Sequence, residues 1–134
     1  MRWLFIDTSM SGSIRYGILG SGSRAVHHVQ ARSDFLLPLL ERRYGKALPS
    51  RVDGVCAVAG PGSFSSVRGG VLVANLLARV WKKPLVGVSV SDARDVRRLA
   101  ARLDRGDVSP EAFVAPRYDA EPNITIPRNT ASRS

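Results

Sequence analysis

The sequence predicts an α/β fold in which helices pack on a mixed sheet of about five strands. Three strand-like runs occupy residues 1–31 without a helical pattern between them. Two further apolar runs of strand length, residues 52–59 and 84–90, alternate with helical patterns. These observations imply the element order βββαβαβ. Apart from Asp53, the run at residues 52–59 is continuously apolar, which indicates a strand covered on both faces.

The early strands and the first helix follow from simple patterns. RWLFIDT at residues 2–8 predicts a buried strand that ends in polar residues. The runs at residues 13–19 and 24–31 flank the letters GSGS, which predicts an antiparallel hairpin. A helix is predicted over residues 34–44, and Pro38 must lie in its first turn or kink it.

The long helix predicted over residues 66–82 has too few polar residues for a helix with one face exposed to solvent. One broad side carries Val67, Gly70, Val71, Ala74, Leu77, Ala78 and Trp81, and a second apolar stripe carries Gly69, Val73, Leu76 and Val80. A helix that is apolar nearly all round must be covered on more than one side. The sheet covers one side, so a helix at residues 91–105 or a partner protein covers the other. We favour the partner.

The added helix near the end of the chain is predicted to be amphipathic. Ser91 is its expected cap and Gly106 its expected exit. Its arginines alternate with Asp95 and Asp104, as is typical of a solvated face.

The domain prediction is a single unit over residues 1–118, with its core in residues 1–90. A last short strand is expected within residues 109–118. Residues 119–134 have too few apolar side chains to fold, so we expect a strip that fades into disorder.

The net charge of +9 is concentrated in the front of the chain. Residues 1–90 carry 12 Lys and Arg against 4 Asp and Glu, whereas residues 91–134 carry 8 against 7. A basic surface can contact RNA phosphates or face an acidic partner, and the sequence leaves both alternatives open.

The single cysteine, Cys56, lies in an apolar run, which indicates a buried thiol. No apolar run is long enough to span a membrane. We therefore expect a cytoplasmic protein.

The turn GPGSF at residues 60–64 joins a buried strand to the long helix. It lacks the lysine and Ser/Thr of a P-loop and the spacing of GxGxxG, so a structural turn is favoured over a phosphate site. We expect Gly60 and Gly62 to allow a tight path, Pro61 to stiffen it, and Phe64 to anchor the helix in the core.

Candidate catalytic residues do not form a constellation. Ser63, Ser65 and Ser66 are candidate nucleophiles, and His27 and His28 are candidate bases. Adjacent strand residues point to opposite faces, so at most one histidine could serve a given site. Two histidines also lack metal-ligand spacing. We expect no catalytic residue, no metal and no cofactor.

The order and spacing of several motifs resemble the TsaB (YeaZ) family, non-catalytic relatives of the TsaD proteins that make threonylcarbamoyladenosine in tRNA. The matching stretches are LFIDTS at residues 4–9, LLPLL at 36–40, VDGVCAVAGPGSF at 52–64 and KPLVGVS at 83–89. The long helix also matches at Arg68, Gly70, Ala74, Leu77 and Ala78. It departs from the family's usual residues at Ser65, Ser66, Val67 and Gly69.

The resemblance implies an ASKHA (RNase H-like) domain whose second lobe is largely absent here. It also implies a non-catalytic subunit that pairs with a TsaD-like catalytic protein through helices, with a TsaE-like ATPase able to join and a homodimer when alone. The modified base is adenosine 37 of tRNA, which this subunit would serve indirectly. The contact residues expected from this resemblance and from the apolar helix are Leu36, Leu40, Gly70, Val73, Ala74, Leu77 and Val80.

Two alternatives remain open. The first is a nucleotide-binding or hydrolytic half-enzyme that uses Asp7, Ser9 and the helix start at residues 60–66, where backbone amides could hold an anion. The second is a module that contacts tRNA through the basic front of the chain.

Overall fold

The computed structural model describes residues 1–20 and 23–118. The strands are β1 (Trp3–Asp7), β2 (Ser13–Gly20), β3 (Ser23–Gln30), β4 (Gly54–Gly60) and β5 (Leu85–Ser89). The helices are α1 (Leu36–Tyr44), α2 (Leu48–Arg51), α3 (Phe64–Trp81), α4 (Val90–Arg94) and α5 (Val96–Asp104). The predicted order βββαβαβ is confirmed, with α2 as an extra short turn and α4 and α5 after β5.

One mixed sheet contains all five strands in the order β3-β2-β1-β4-β5. β2 pairs antiparallel with both β1 and β3, whereas β4 pairs parallel with both β1 and β5. The central position of β1 is visible in its register, since Ile6 lies between Tyr16 and Ala57. Because β1, β4 and β5 are parallel, their carboxyl ends meet at one edge of the sheet, where α3 and α4 begin.

The period of two along the strands divides the core between the two faces of the sheet. Leu4 and Ile6 of β1 pack in the cluster that contains α1 and α3. Trp3 and Phe5 pack in the other cluster, which contains α4 and α5. Cys56 lies in this second cluster, where it is fully buried, and burial raises the pKa of its thiol to about 12. The predicted buried thiol is confirmed.

The helix boundaries follow from local chemistry. Pro38 lies in the first turn of α1, one of the two predicted placements, where its missing N–H breaks no helical hydrogen bond. At the other end of the chain, Ser89 and Asp95 accept hydrogen bonds from backbone N–H groups of α4 and α5. Lys82 ends α3 in the left-handed conformation with φ of 56°.

The prediction of one helix after residue 90 is wrong in two details. Asp95 is extended, with φ of −109° and ψ of 95°, and this residue separates α4 from α5. The cap of the first piece is the Ser89 hydroxyl, 3.1 Å from the Asp92 nitrogen, and not Ser91. Asp95 caps the second piece, because its carboxylate lies 3.1 Å from the Arg98 nitrogen. Gly106 follows α5 with φ of 71°, as predicted for the exit.

The last predicted strand does not form. Only two isolated bridges occur in this segment, between Glu111 and Leu85 and between Tyr118 and Gly62. Between them the backbone of Val114 is bonded to a side chain of α3, so it cannot continue a ladder with β5. The predicted disordered tail at residues 119–134 lies outside the described residues.

Candidate protein interface

The inner side of α3 is fixed by the sheet. Its buried apolar residues are Val67, Val71, Ala74 and Ala78, which recur at the spacing of one helical face. Gly70 continues this face and lies against Thr8, whose hydroxyl donates to the Ser66 carbonyl over 2.6 Å. The close approach that the small residues allow is therefore made by the end of β1 and not by another molecule.

The outer side of α3 carries a row of exposed aliphatic residues. Leu72, Leu76 and Val80 are spaced by four, so they lie one above the other along the helix. Their exposed fractions are 52%, 53% and 65%. We call these three residues the apolar stripe. Charged side chains would be the usual occupants of such a row on a solvated helix, so the stripe is a candidate interface.

The structure corrects the set of predicted contact residues. Leu36, Leu40, Gly70 and Ala74 are buried in the core of this chain and present no surface to a partner. These residues pack between α1, α3 and the sheet. Val73 and Leu77 are only partly buried against this core, and Val80 is exposed. Leu72, which was not among the predicted contact residues, also belongs to the exposed row.

A groove of about 540 Å³ lies beside the apolar stripe. Leu77 and Trp81 of α3 form one wall, and Leu37 and Pro49 from the α1–α2 segment form the other. Leu37 is 43% exposed. The groove and the stripe together make α3 and α1 an extended apolar surface.

The helix after residue 90 does not cover this surface. Leu99, Ala100 and Leu103 of α5 pack with Trp3 and Phe5 on the opposite face of the sheet. The alternative that residues 91–105 bury the second side of the long helix is therefore wrong. Within residues 1–20 and 23–118, the stripe stays open to solvent.

The turn before α3 has the tight path that its glycines predict. Gly60 has φ of 119°, and a side chain there would overlap the Arg117 carbonyl. The Gly60–Pro61 peptide bond is cis. Gly62 lies against the backbone of Ser9, whose carbonyl accepts from the Ser63 nitrogen over 3.3 Å. The turn thus packs directly on the segment that follows β1.

The sequence predicted that Phe64 anchors the helix in the core, and this prediction is wrong. It is 45% exposed, with its ring centroid 4.5 Å from that of Tyr118. The Arg68 guanidinium lies 5.8 Å from the Phe64 centroid. The inner positions of the first turns are filled by Val67 and Val71, so Phe64 extends beyond the core toward residue 118.

Asp7 is already occupied by partners within the chain. Its carboxylate accepts from the backbone nitrogen and the hydroxyl of Ser9, at 2.9 and 2.6 Å. Arg15 completes an ion pair with it at 3.0 Å. The Arg15 guanidinium also contacts the Ala93 carbonyl and the Phe5 ring. This carboxylate is thus held in place on the wall of a cleft of about 260 Å³.

The candidate nucleophiles and bases do not meet. His28 contacts the Ser13 hydroxyl in that cleft, whereas His27 lies on the other face of β3 with its ring 5.3 Å from Tyr16. Ser66 is buried under Thr8, and the Ser63 hydroxyl has no partner among the described residues. In the same part of the chain, no group of three or more His, Cys, Asp or Glu could hold a metal ion.

Sequence reasoning missed Asn75 as a structural residue. Its amide nitrogen lies 2.9 Å from the Val114 carbonyl, and its amide oxygen lies 2.9 Å from the Val114 nitrogen. A lone asparagine on an apolar helix is the only sequence signal for this pair of hydrogen bonds, and it does not identify the segment that Asn75 binds.

None of the helices in the described part of the chain is long and apolar enough to cross a bilayer.

Comparison with known proteins places the chain in a family. The family model described as TsaD: tRNA N6-adenosine threonylcarbamoyltransferase matches residues 27–106. This chain belongs to the TsaD family. A curated family member, the probable tRNA N6-adenosine threonylcarbamoyltransferase of Nematostella vectensis, is 32% identical over 65 residues, which cover 48% of this chain and 19% of that protein.

Solved structures refine the position within the TsaD family. YeaZ from Pseudomonas aeruginosa superimposes with a TM-score of 0.58 at 28% identity, over 66% of this chain and 45% of YeaZ. A second Pseudomonas aeruginosa chain, described as similar to peptidase YEAZ, gives the same score and identity over 43% of its length. The resemblance to TsaB (YeaZ) is confirmed. The chain spans less than half of YeaZ and about a fifth of the Nematostella protein.

A more distant neighbour confirms the RNase H-like fold. RuvC of T. thermophilus, solved with a Holliday junction substrate, gives a TM-score of 0.53 over 83% of this chain and 99% of RuvC. At 10% identity this match concerns the fold alone.

Proposed function

We propose that this TsaD-family chain is a non-catalytic subunit that binds a TsaD-like catalytic protein and thereby serves threonylcarbamoylation of adenosine 37 in tRNA. Family membership and the similarity to YeaZ support the link to this modification. The observation that carries the proposal is the apolar stripe, whose three residues are each more than half exposed on one row of α3.

The stripe suits a helix-mediated contact. Aliphatic residues that recur along one helix are typical anchors for a helix or groove of a partner. The neighbouring residues Val73 and Leu77 are partly buried, so they can extend the contact without leaving the core. A second copy of this chain would use the same surface, which makes the homodimer and the complex with the catalytic protein mutually exclusive. A TsaE-like ATPase would then join through the catalytic protein.

The polar sites support a non-catalytic role over the half-enzyme alternative. The Asp7 carboxylate, which a nucleotide site would use, is paired with Arg15 and bonded to Ser9. His27 lies against Tyr16 on the face of the sheet that carries α1 and α3, away from the cleft beside Asp7. The catalytic groups are therefore expected in the partner.

The test is a double change in the stripe, Leu76→Asp with Val80→Asp. Both side chains are exposed, so we expect a folded chain with an unchanged circular dichroism spectrum. Two lost anchors should weaken binding to the TsaD-like protein by at least tenfold in calorimetry. In a reconstituted reaction, tRNA modification that needs both proteins should fall with it.

The matched control is Met10→Asp with Ala101→Asp, which adds the same two negative charges. Met10 is 68% exposed in the cleft beside Asp7, and Ala101 is exposed on α5, so neither residue belongs to the stripe. Unchanged affinity of the Leu76→Asp, Val80→Asp variant would refute the proposal. So would a wild-type chain that forms no complex with the catalytic protein at micromolar concentration.

A further inference from the structure

The segment from α1 to α2 combines a high density of cations with a lack of counter-charges. It carries Arg42, Arg43, Lys46 and Arg51 and a single acid, Glu41. All four cationic residues are exposed. In the described part of the chain, no carboxylate lies within ion-pairing distance of any of them, since the four ion pairs there involve other residues.

The contrast with α5 shows that this is not a general property of the surface. The stretch from residue 90 to 107 carries five arginines but also four aspartates. Arg102 pairs with Asp92 at 3.1 Å, and Arg105 pairs with Asp107 at 2.9 Å. Charge on that side of the sheet is largely neutralised, whereas charge on the α1–α2 segment is not.

Aromatic rings hold two of these guanidinium groups in place. Arg51 lies 5.2 Å from the centroid of Tyr44, which meets Tyr16 edge-on at 6.3 Å. Arg43 is hydrogen-bonded to the Tyr16 hydroxyl, an interaction that raises the pKa of its guanidinium. Such contacts reduce the side-chain freedom that would be lost when the groups bind an anion.

We propose that Arg42, Arg43, Lys46 and Arg51 form a binding surface for the phosphate backbone of tRNA. Three of the four are arginines, whose planar guanidinium groups donate two parallel hydrogen bonds to a phosphate. Arg42 and Arg43 border a shallow depression over Tyr16 and Val29, and Lys46 borders the groove beside α3, so the cations form a ridge and not one pocket. A ridge of separated cations suits successive phosphates of a nucleic acid strand.

This inference rests on the proposed function for the identity of the RNA, but it uses none of the residues of the apolar stripe. The ligand is bound directly by this chain, without the catalytic protein. The test therefore uses the full chain alone and an unmodified tRNA transcript that reads ANN codons. Binding is measured by fluorescence anisotropy between 50 and 200 mM salt, a range over which phosphate contacts have a large effect.

The informative variant is Arg42→Gln with Arg51→Gln, and its control is Arg97→Gln with Arg98→Gln on α5. Both doubles remove two exposed arginines and leave the same net charge. We expect the first double to weaken tRNA binding on the order of tenfold at low salt and to reduce the salt slope by between one and two. The control should bind within twofold of wild type, and thermal melting should show both variants folded.

Three outcomes would overturn the inference. Equal weakening by both doubles would mean that the RNA responds only to total charge. A wild-type chain that binds no transcript at low salt would remove the site. The third outcome concerns the Arg42→Gln, Arg51→Gln variant. If it binds tRNA as wild type does but no longer binds polyglutamate or the TsaD-like protein, the surface serves an acidic protein partner. None of these changes the outcome of the Leu76→Asp, Val80→Asp test, so the two proposals fail separately.

Discussion

Gly70 of α3 lies against Thr8 at the end of β1, and no space remains between them for a methyl group. Thr8 is 2% exposed, and its hydroxyl donates to the Ser66 carbonyl over 2.6 Å. The helix is therefore attached to the central strand by direct contact and by a hydrogen bond one turn earlier. This pair sets how deeply α3 sits on the sheet.

Gly70→Ala should destabilise the chain although alanine favours helices. The helix propensity gain is about 1 kcal/mol, and overpacking a buried site costs about 1–3 kcal/mol. We expect a net loss of about 1 kcal/mol in the free energy of unfolding by urea. Gly69→Ala is the matched control, since its neighbour Ser33 lies on a surface turn that can shift. A larger loss for Gly69→Ala would contradict this account of the contact.

Asn75→Ala should release the segment that follows α5. The change leaves the N–H and the carbonyl of buried Val114 without their partners, at a cost of about 1–3 kcal/mol. Amide exchange at Val114 should become faster, and the urea midpoint should fall. Asn75→Asp keeps the acceptor for the Val114 nitrogen and should retain more protection of that amide. Wild-type exchange in Asn75→Ala would show that this pair of hydrogen bonds does not hold the segment.

Because burial raises the pKa of the Cys56 thiol, we expect the chain to lose stability at alkaline pH. Its folded pKa of about 12 lies above the value of 9.0 for an unperturbed thiol, so the unfolded state loses its proton first. The stabilisation is complete below about pH 9 and should fall by about 1.4 kcal/mol per pH unit between pH 9 and 12. Urea unfolding of wild type and of Cys56→Ala at pH 8, 9.5 and 10.5 measures the difference. Parallel pH profiles for the two proteins would contradict it.

Periodicity in the sequence was sufficient to predict the layers of this fold. Strand alternation and the apolar run at residues 52–59 predicted the mixed sheet, because both depend on local patterns that burial selects. The excess of apolar residues on α3 correctly indicated an uncovered side. The period alone could not tell which residues lie outermost, and Leu36 and Leu40 were assigned to a surface although both are buried.

Features that depend on distant segments were not predictable. Phe64 lies outside the core and contacts Tyr118, and no local pattern in the sequence indicates that residues 114–118 pass beside it. Ser91 was predicted as the cap, but Ser89 caps α4 because β5 ends at that residue. The interruption at Asp95 likewise follows from how two short helices fit on the sheet.

The bridge between Glu111 and Leu85 has a consequence for assembly. β5 is an edge strand, and an open edge is a template for pairing with a strand from another molecule. Here the Glu111 nitrogen donates to the Leu85 carbonyl over 2.7 Å, and Val114 lies over Gly87. At this edge the chain covers part of its own strand, which leaves less of β5 open to pairing with a strand from another molecule.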